Sequence, residues 1–416
     1  MRGLIPAFWR HGNCDVGAAS PAEWTPAKRN LNAPRLRKAV TRASERYGML
    51  TSTANVARNA SAAPLAFLAK SVVSHAGLAF FTALFAVATL ATSALIDRPF
   101  HYGMAGRLSK LYSVMVPVFL AILLIGAFIR MASVERPASP ARHFARKIRG
   151  FACDSERLVG MAIMSALLVW FMAGFAFMKE SIPALQPFDW DSTFRDWDRM
   201  LFGGVDPWRL TFAVFGTPAA TTLINAAYHA WVFVIYMTLL AAVFGVLPRR
   251  QQLVFLYAFM FTWAIGGVAL ATIFSSAGPV YFERLGLGGD FEPQMALLRQ
   301  FNEVSPVWSL TVQEMLWTAY QRNGGDISGI SAMPSMHVAS SIIVMLLAYR
   351  INRGLGHLML AFTSVMMIGS VHLGWHYAVD GLFGAALALA CWYAAERVAA
   401  LDLAFQHRML PRVGSD

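Results

Sequence analysis

Two segments in the second half of the chain carry histidine, serine and aspartate at spacings that suit chemistry on an anion. The first is Gly324–His337, which ends in Pro-Ser-Met-His. Proline suits the first turn of a helix, so Pro334 predicts a helix start here. The free N–H groups and the dipole of such a turn favour an anion. Ser335 would add a hydroxyl donor and His337 a proton donor, which together make a phosphate cradle.

The second segment, His372–Asp380, reads HLGWHYAVD. Positions i and i+4 share one face of a helix, so Asp380 is expected to accept a hydrogen bond from His376. That contact would fix the imidazole tautomer and leave the other ring nitrogen free for nucleophilic attack. Two alternatives stay open: a purely structural pair between helices, and a metal site formed by His372 and His376. Apart from Asp380 no third ligand lies in register, so a packing role is favoured for His372 and no metal is expected.

Long apolar runs dominate the elements that must position these residues. The chain is 57% hydrophobic and only 14% charged, whereas soluble domains are about 25% charged. About 20 apolar residues cross a bilayer as a helix. Runs of this kind lie at about 71–96, 111–132, 158–179, 223–247, 253–277, 337–351, 355–375 and 380–400. The prediction is an all-α polytopic membrane protein of about eight transmembrane helices, the short sixth one extended by the segment before His337.

Basic residues in alternate loops predict which way the chain crosses the membrane. The formal net charge is +12, which in a soluble chain would indicate a nucleic-acid partner. Here the loops that follow the second, fourth and sixth runs are basic, so the charge is better explained by topology. Both termini are expected in the cytoplasm, with loops 180–222 and 278–336 outside. A bacterial inner membrane with a periplasmic active site is the predicted location, and no nucleic-acid partner is expected.

The same patterns divide the chain into four parts. Residues 1–70 predict a disordered basic cytoplasmic tail, 71–132 an accessory transmembrane hairpin, 158–401 a six-helix catalytic core and 402–416 a second cytoplasmic tail. Within the core, residues 183–217 mix tryptophan with Asp and Arg, which suits a segment in the membrane interface. The long loop 278–336 is expected either to roof the site or to pack on the helix ends.

The two histidine segments resemble a known family. PSMH and LGWHYAVD look like the second and third signature blocks of the type 2 phosphatidic acid phosphatase superfamily, PSGH and a block that ends in HxxxD. The resemblance implies a nucleophilic His376 that forms a phosphohistidine, oriented by Asp380. It also implies that His337 is the general acid and that Ser335 binds phosphate, without any cofactor.

Departures from the family pattern point to one of its branches. The first block, KxxxxxxRP, is not found; Met336 replaces a glycine; and Ser370 stands where an arginine is usual. These departures resemble the inositol phosphorylceramide synthase branch, whose members transfer a phospho-headgroup between lipids. Residues 276–281, SAGPVY, look like that branch's replacement for the first block, which implies a binding role for Tyr281.

Because the usual phosphate-binding cations are missing, another group must neutralise the anion. Lys179, Arg284 and Arg322 are the candidates on the outer side, although each residue type more often lies at an interface with its charged end in water.

The leading hypothesis is a headgroup phosphotransferase, with a lipid phosphate phosphatase as the alternative. Its partners would be a membrane phospholipid donor and a lipid hydroxyl, a sugar hydroxyl or water as acceptor. A transporter is disfavoured because the polar residues cluster at one membrane face rather than at the midplane. A catalytically dead scaffold is disfavoured by the intact His/His/Asp set.

Overall fold

The fold is built from helices throughout the part of the chain that the structure describes. A computed structural model describes residues 67, 69–100, 103–322 and 329–410, and within these ranges it has no strand. Seven helices are long and apolar enough to cross a membrane. An eighth apolar helix, Met336–Ile351, has 16 residues. The predicted all-α polytopic membrane fold is thereby confirmed.

Shorter helices stand between several of the long ones along the chain. In chain order the helices are α1 (Ala69–Leu95), α2 (Gly103–Arg130, continued by a π-turn at Met131–Glu135), α3 (Pro140–Ala152), α4 (Ser155–Leu185), α5 (Asp191–Leu201), α6 (Pro207–Phe215), α7 (Pro218–Val243), α8 (Arg249–Phe261, continued by a π-helical stretch Thr262–Leu270 and by Ala271–Ile273), α9 (Glu292–Val304), α10 (Trp308–Gln321), α11 (Met336–Ile351), α12 (Arg353–His372) and α13 (Ala378–Met409).

Helix α8 is the centre of the bundle. In its most apolar stretch 72% of the residues are buried, against 17% for the second span, Ser109–Glu135. It packs against α13, α11 and α7, and α11 packs against α12. The helices that carry the two histidine blocks are therefore held directly against the most buried helix, which fixes their positions.

The sixth apolar run is shorter than predicted. Helix α11 is not extended upstream: it begins at Met336, with Ser335 as its N-cap in an extended conformation. The prediction that Pro334 lies in the first turn is also wrong, because it precedes the cap. Backbone N–H groups on both sides of Pro334 bond to other segments of the chain. Ala332 N–H donates to the Ser276 carbonyl at 2.9 Å, and Ser335 N–H donates to the Asp380 carbonyl at 3.0 Å.

The first two long helices pack tightly against the rest of the bundle. Phe85 of α1 lies with its ring centroid 4.8 Å from that of Phe171 in α4. The Tyr112 hydroxyl of α2 lies 2.7 Å from the Ser165 hydroxyl of α4. The predicted accessory hairpin is thus in contact with the core. The predicted tails, 1–70 and 402–416, fall largely outside the described residues at the N-terminus and partly at the C-terminus, where α13 runs on to Met409.

The tryptophan-rich segment 183–217 packs on the end of the bundle as two short helices, α5 and α6. Trp208 and two aspartates of α5 are buried, and α5 lies against α13. The loop after α8 contains α9 and α10, and parts of it cover the cavity described next. The roof role is therefore the one that the structure supports for the segment 278–322.

Candidate active site

The two predicted catalytic histidines face each other across one cavity. The ring centroids of His337 and His376 lie 6.1 Å apart with the planes at 65°. Both rings line a cavity of about 510 Å³ at the end of the bundle where α4 and α8 end and α11 and α13 begin. A nucleophile needs its target about 3–3.5 Å away and a general acid needs a similar approach, so this spacing suits one phosphoryl group between the rings.

Aromatic rings hold His337 in place. It is the second residue of α11, and its ring stacks on Tyr228 of α7 with centroids 4.3 Å apart. Trp231, one turn further along α7, lies at the same centroid distance on a tilted plane. The indole N–H of Trp231 donates to the Ser340 hydroxyl at 2.9 Å, which ties α7 to α11. His337 therefore sits in a rigid aromatic pocket at the cavity wall.

Asp380 contacts His376 across a helix start rather than along a helix face. Nδ1 of His376 lies 3.3 Å from Asp380 Oδ2, as the i, i+4 spacing predicts. However, α13 begins at Ala378, so His376 precedes the helix and Tyr377 is its N-cap. The Asp380 carboxylate also accepts the Tyr377 N–H at 3.0 Å. A proton on Nδ1 is the tautomer that this contact favours, which leaves the lone pair on Nε2.

The surroundings of His376 keep its ring neutral. Burial and, to a smaller extent, the nearby Lys179 ammonium lower the pKa of His376 to about 3, against the opposing effect of a hydrogen bond with the Ala332 backbone. An unprotonated imidazole retains the lone pair that a nucleophile needs. The geometry thus presents His376 in its reactive protonation state at neutral pH.

Lys179 is the one cation among the residues that line this cavity. It lies in the last turns of α4, and within the described parts of the chain its amine has no hydrogen-bond or ion-pair partner. The backbone of Gly329 covers its stem: a Cβ at that glycine would lie 2.9 Å from Lys179 Cγ. An unpaired amine in an apolar cavity is costly unless an anion joins it.

The structure does not bring the other two candidate cations to the cavity. Arg284 pairs with Glu314 at 2.5 Å and lines a separate cavity of about 150 Å³. Arg322 is exposed at the C-terminal end of α10. Tyr281 lines both cavities as the wall between them, and its hydroxyl donates to the Gln313 carbonyl at 2.9 Å.

Ser335 lies behind the cavity rather than on its wall. The residue is fully buried, and its hydroxyl has no partner among the described residues. Its backbone N–H, expected to point at an anion, donates instead to the Asp380 carbonyl. This contact joins the start of α11 to the start of α13, so Ser335 links the two histidine blocks.

His372 is occupied on both ring nitrogens by threonine hydroxyls. Nε2 lies 2.9 Å from Thr221 Oγ1, and Nδ1 lies 3.2 Å from Thr211 Oγ1. Its ring stacks on Phe212 with centroids 4.2 Å apart. These contacts favour the packing role over a metal ligand. Across the described residues no group of three His, Cys, Asp or Glu is placed to hold a metal ion.

Asp191 is a buried residue of the site that sequence reasoning did not single out. Its carboxylate accepts the N–H groups of Ala277 and Gly278 at 2.8 and 2.7 Å, and the Tyr377 hydroxyl at 2.8 Å. Gly278 has φ +100°, and a Cβ there would lie 2.5 Å from the Trp375 carbonyl. Asp191 therefore ties the SAGPVY loop to the loop that carries His376.

Asp198, two turns along α5, holds the start of α13. Its two oxygens accept the N–H groups of Ala378 and Val379 at 2.8 and 2.9 Å, the free donors of a helix N-terminus. Burial and, to a smaller extent, the charges of Asp380 and Asp206 raise the pKa of Asp198 to about 7, against the opposing effect of these hydrogen bonds. Acidic residues in the segment 183–217 were the available signal, but only the fold shows their partners.

Ser370, the residue at the position of the expected arginine, supports His376 through its backbone. Its carbonyl accepts the N–H groups of both Trp375 and His376 at 3.0 Å, and its hydroxyl donates to the Met367 carbonyl. Of the described residues that line the cavity, Lys179 on α4 is the one lysine or arginine.

Comparison with known proteins agrees with this geometry. Residues 192–394, about half of the chain, match the profile of the PAP2 superfamily. No curated protein and no solved structure shows a significant match. The profile match supports phosphatase or phosphotransferase chemistry on lipid phosphoesters, and both histidines and Asp198 lie inside it. Over residues 192–394 the chain is thus similar to the PAP2 superfamily.

Proposed function

We propose that the protein transfers a phosphoryl or phospho-headgroup from a membrane lipid through a phosphohistidine at His376. The observation that carries this proposal is the cavity in which His337, His376 and Lys179 meet, with Asp380 behind His376 and no partner for Lys179 among the described residues. In the first step Nε2 of His376 forms a bond to phosphorus as the bond to the leaving oxygen breaks. His337 gives its proton to that oxygen.

The second step regenerates the histidines. An acceptor hydroxyl gives its proton to His337 as its oxygen bonds to phosphorus, and the bond from phosphorus to Nε2 breaks. Lys179 offsets the negative charge of the phosphoryl group in both steps. Asp380 stabilises the proton on Nδ1 of His376 while Nε2 is bonded to phosphorus.

Transfer to a lipid or sugar hydroxyl, as in inositol phosphorylceramide synthases, is the form of the reaction that we propose. Support comes from Ser370 in place of an arginine and from a cavity lined mainly by aromatic and aliphatic side chains under the 278–322 roof. A cavity with such an apolar lining disfavours water as the acceptor. Hydrolysis of a lipid phosphate uses the same residues and is the second candidate function.

The membrane setting is part of the proposal. The donor is a bilayer phospholipid, and the site is proposed to open on the periplasmic face of a bacterial inner membrane, with both termini in the cytoplasm. The basic loops after the second, fourth and sixth apolar runs support this orientation. A transporter would need its substrate site near the midplane, whereas these histidines lie at the ends of their helices.

The test is lipid turnover by the purified protein in detergent. A panel of phospholipids with labelled headgroups is supplied with and without ceramide-type and polyprenol-type acceptors. We expect His376→Ala to abolish both headgroup transfer and phosphate release, and to abolish the alkali-stable, acid-labile phosphoryl label that the wild type acquires.

The matched control is His357→Ala, an exposed histidine at the opposite end of α12. It should retain turnover. Unchanged turnover in His376→Ala would contradict the nucleophile assignment, and release of phosphate without any acceptor product would select the phosphatase form.

A further inference from the structure

A second cavity adjoins the histidine cavity in the membrane-spanning part of the bundle. It has a volume of about 250 Å³ and shares three wall residues with the first: Trp231, Val232 and Trp263. All its lining residues are aliphatic or aromatic, and none carries a charge. The two cavities together form a space with a polar, cationic end and an apolar end.

Two stacked indoles lie at the boundary between the two cavities. The rings of Trp231 and Trp263 lie nearly parallel, at 7°, with centroids 6.3 Å apart. Trp231 also lies against His337, as described above. A ligand that extends from the apolar cavity past these two indoles would therefore lie beside the proposed general acid, His337.

Helix α2 of the N-terminal hairpin supplies one wall of this second cavity. Leu111 and Tyr112 of α2 face Val169 of α4, Leu239 of α7 and Phe259 of α8. Helix α2 packs against both α4 and α7. The predicted accessory hairpin thus encloses a space that the six later helices alone would leave open on one side.

We propose that this apolar cavity is a slot for one hydrocarbon chain of the lipid whose phosphate reacts at His376. The inference rests on the proposed function and names its substrate class, an anionic lipid held by its head and one tail. Charge supports this occupant: Lys179 is the cation of the head end, and no side chain that lines the slot is charged. The slot also lies between membrane spans, where hydrocarbon is the surrounding solvent.

A tryptophan placed in the slot tests the proposal. Val169→Trp adds bulk to its wall at a position that does not line the histidine cavity, and Ala166→Trp adds the same bulk on the exposed side of α4. We expect Val169→Trp to lower kcat/KM for a long-chain phosphatidic acid by roughly tenfold or more. Turnover of the small soluble ester p-nitrophenyl phosphate should change by less than about twofold, and Ala166→Trp should leave both unchanged.

Photo-crosslinking of the wild type makes the test independent of folding in the variant. The probe is a phosphatidic acid with a diazirine midway along one acyl chain, and the control is the diacylglycerol with the same label. We expect the phosphatidic acid probe to mark slot residues of α2, α4, α7 and α8 more strongly than the diacylglycerol does.

The outcomes separate this inference from the proposed function. Equal marking by both probes, marking spread over the lipid-exposed surface, or an equal loss on both substrates in Val169→Trp overturns the slot. Marking of the slot without turnover of any lipid leaves the slot standing and overturns the proposed function. Lipid turnover together with marking outside the slot overturns the slot and leaves the proposed function standing.

Discussion

At the scale of single residues, the site depends on one cation and on two aspartates that do not touch the cavity. Lys179 faces both histidines without a partner among the described residues, whereas Arg284 and Arg322 lie outside the cavity. Asp191 and Asp198 accept five hydrogen bonds, two from the SAGPVY loop and three from the segment that carries the second histidine block. The cation that faces the cavity and the carboxylates that position the second histidine block are thus supplied by different parts of the chain.

Loss of the Lys179 charge should weaken both binding and turnover. For Lys179→Met we expect kcat/KM to fall by roughly 10²-fold or more, the usual cost of one group that stabilises transition-state charge. Lys179→Arg should restore part of the activity. Arg284→Ala and Arg322→Ala are the matched controls and should stay near wild type in the same lipid assay. A larger loss in either arginine variant would assign the anion's partner to that arginine.

Protonation of Asp198 should cause kcat/KM to fall on the acid side of the pH profile. Because the pKa of Asp198 is raised to about 7, its carboxylate takes up a proton as the pH falls through that value. A protonated oxygen no longer accepts its N–H, so the hold on the start of α13 weakens and kcat/KM falls below about pH 7. His376, with its pKa near 3, does not titrate in this range.

Asp198→Asn checks this assignment. It keeps one acceptor and leaves the other N–H unpaired, worth roughly 1–3 kcal/mol, so activity should fall by about tenfold at every pH. The acid limb near pH 7 should vanish. Asp196→Asn, on the exposed side of the same helix, is the control and should keep the wild-type profile. An acid limb that persists in Asp198→Asn would assign the limb to another group.

At the scale of elements, a polar cluster fixes α1 to the bundle at the end opposite the histidines. The Arg249 guanidinium and the Gln406 amide both donate to the Ser74 carbonyl, and the Tyr257 hydroxyl donates to Asp402 at 2.7 Å. Gly77 allows this approach, since a Cβ there would lie 2.1 Å from the Tyr257 oxygen. The cluster therefore joins α1, α8 and α13.

A side chain at position 77 should loosen the hairpin. We expect Gly77→Val to destabilise the protein by about 1–3 kcal/mol, the usual cost of overpacking, seen as a Tm lower by several degrees in detergent. Gly106→Ala on α2, with open space around its Cβ, should leave Tm unchanged or slightly higher. An unchanged Tm in Gly77→Val would show that α1 moves freely on the bundle.

The elements were predictable from the sequence where one local pattern decided them. All eight apolar runs coincide with helices, because run length alone sets a membrane span; the run at 71–96, for example, is Ala69–Leu95. The contact between His376 and Asp380 follows from their spacing, although it forms across a helix start. Asp191, Asp198 and the tail slot were not predictable, because their partners lie 86 to 186 positions away or on four different helices.

At the scale of the whole molecule, every element of the site lies at one end of the bundle. One labelling experiment can therefore determine which side of the membrane the site faces. In a Cys14→Ser background, a membrane-impermeant maleimide should label Arg322→Cys from outside intact cells. Cys153, which is exposed between α3 and α4 at the other end, is the internal control and should react only after permeabilisation. The reverse pattern would place the site in the cytoplasm.

The two aspartates of α5 also have a consequence for biosynthesis. Asp198 is made 180 residues before Ala378, the first of its partners. At about 5–20 residues per second this corresponds to roughly ten to forty seconds of translation. During this interval Asp198 has neither of its final partners and Asp191 lacks the Tyr377 hydroxyl, and only insertion of the last hairpin supplies them. A chain truncated before α13 should therefore remain recognisable to quality-control proteases as unfinished, even with its first seven membrane-embedded helices in place.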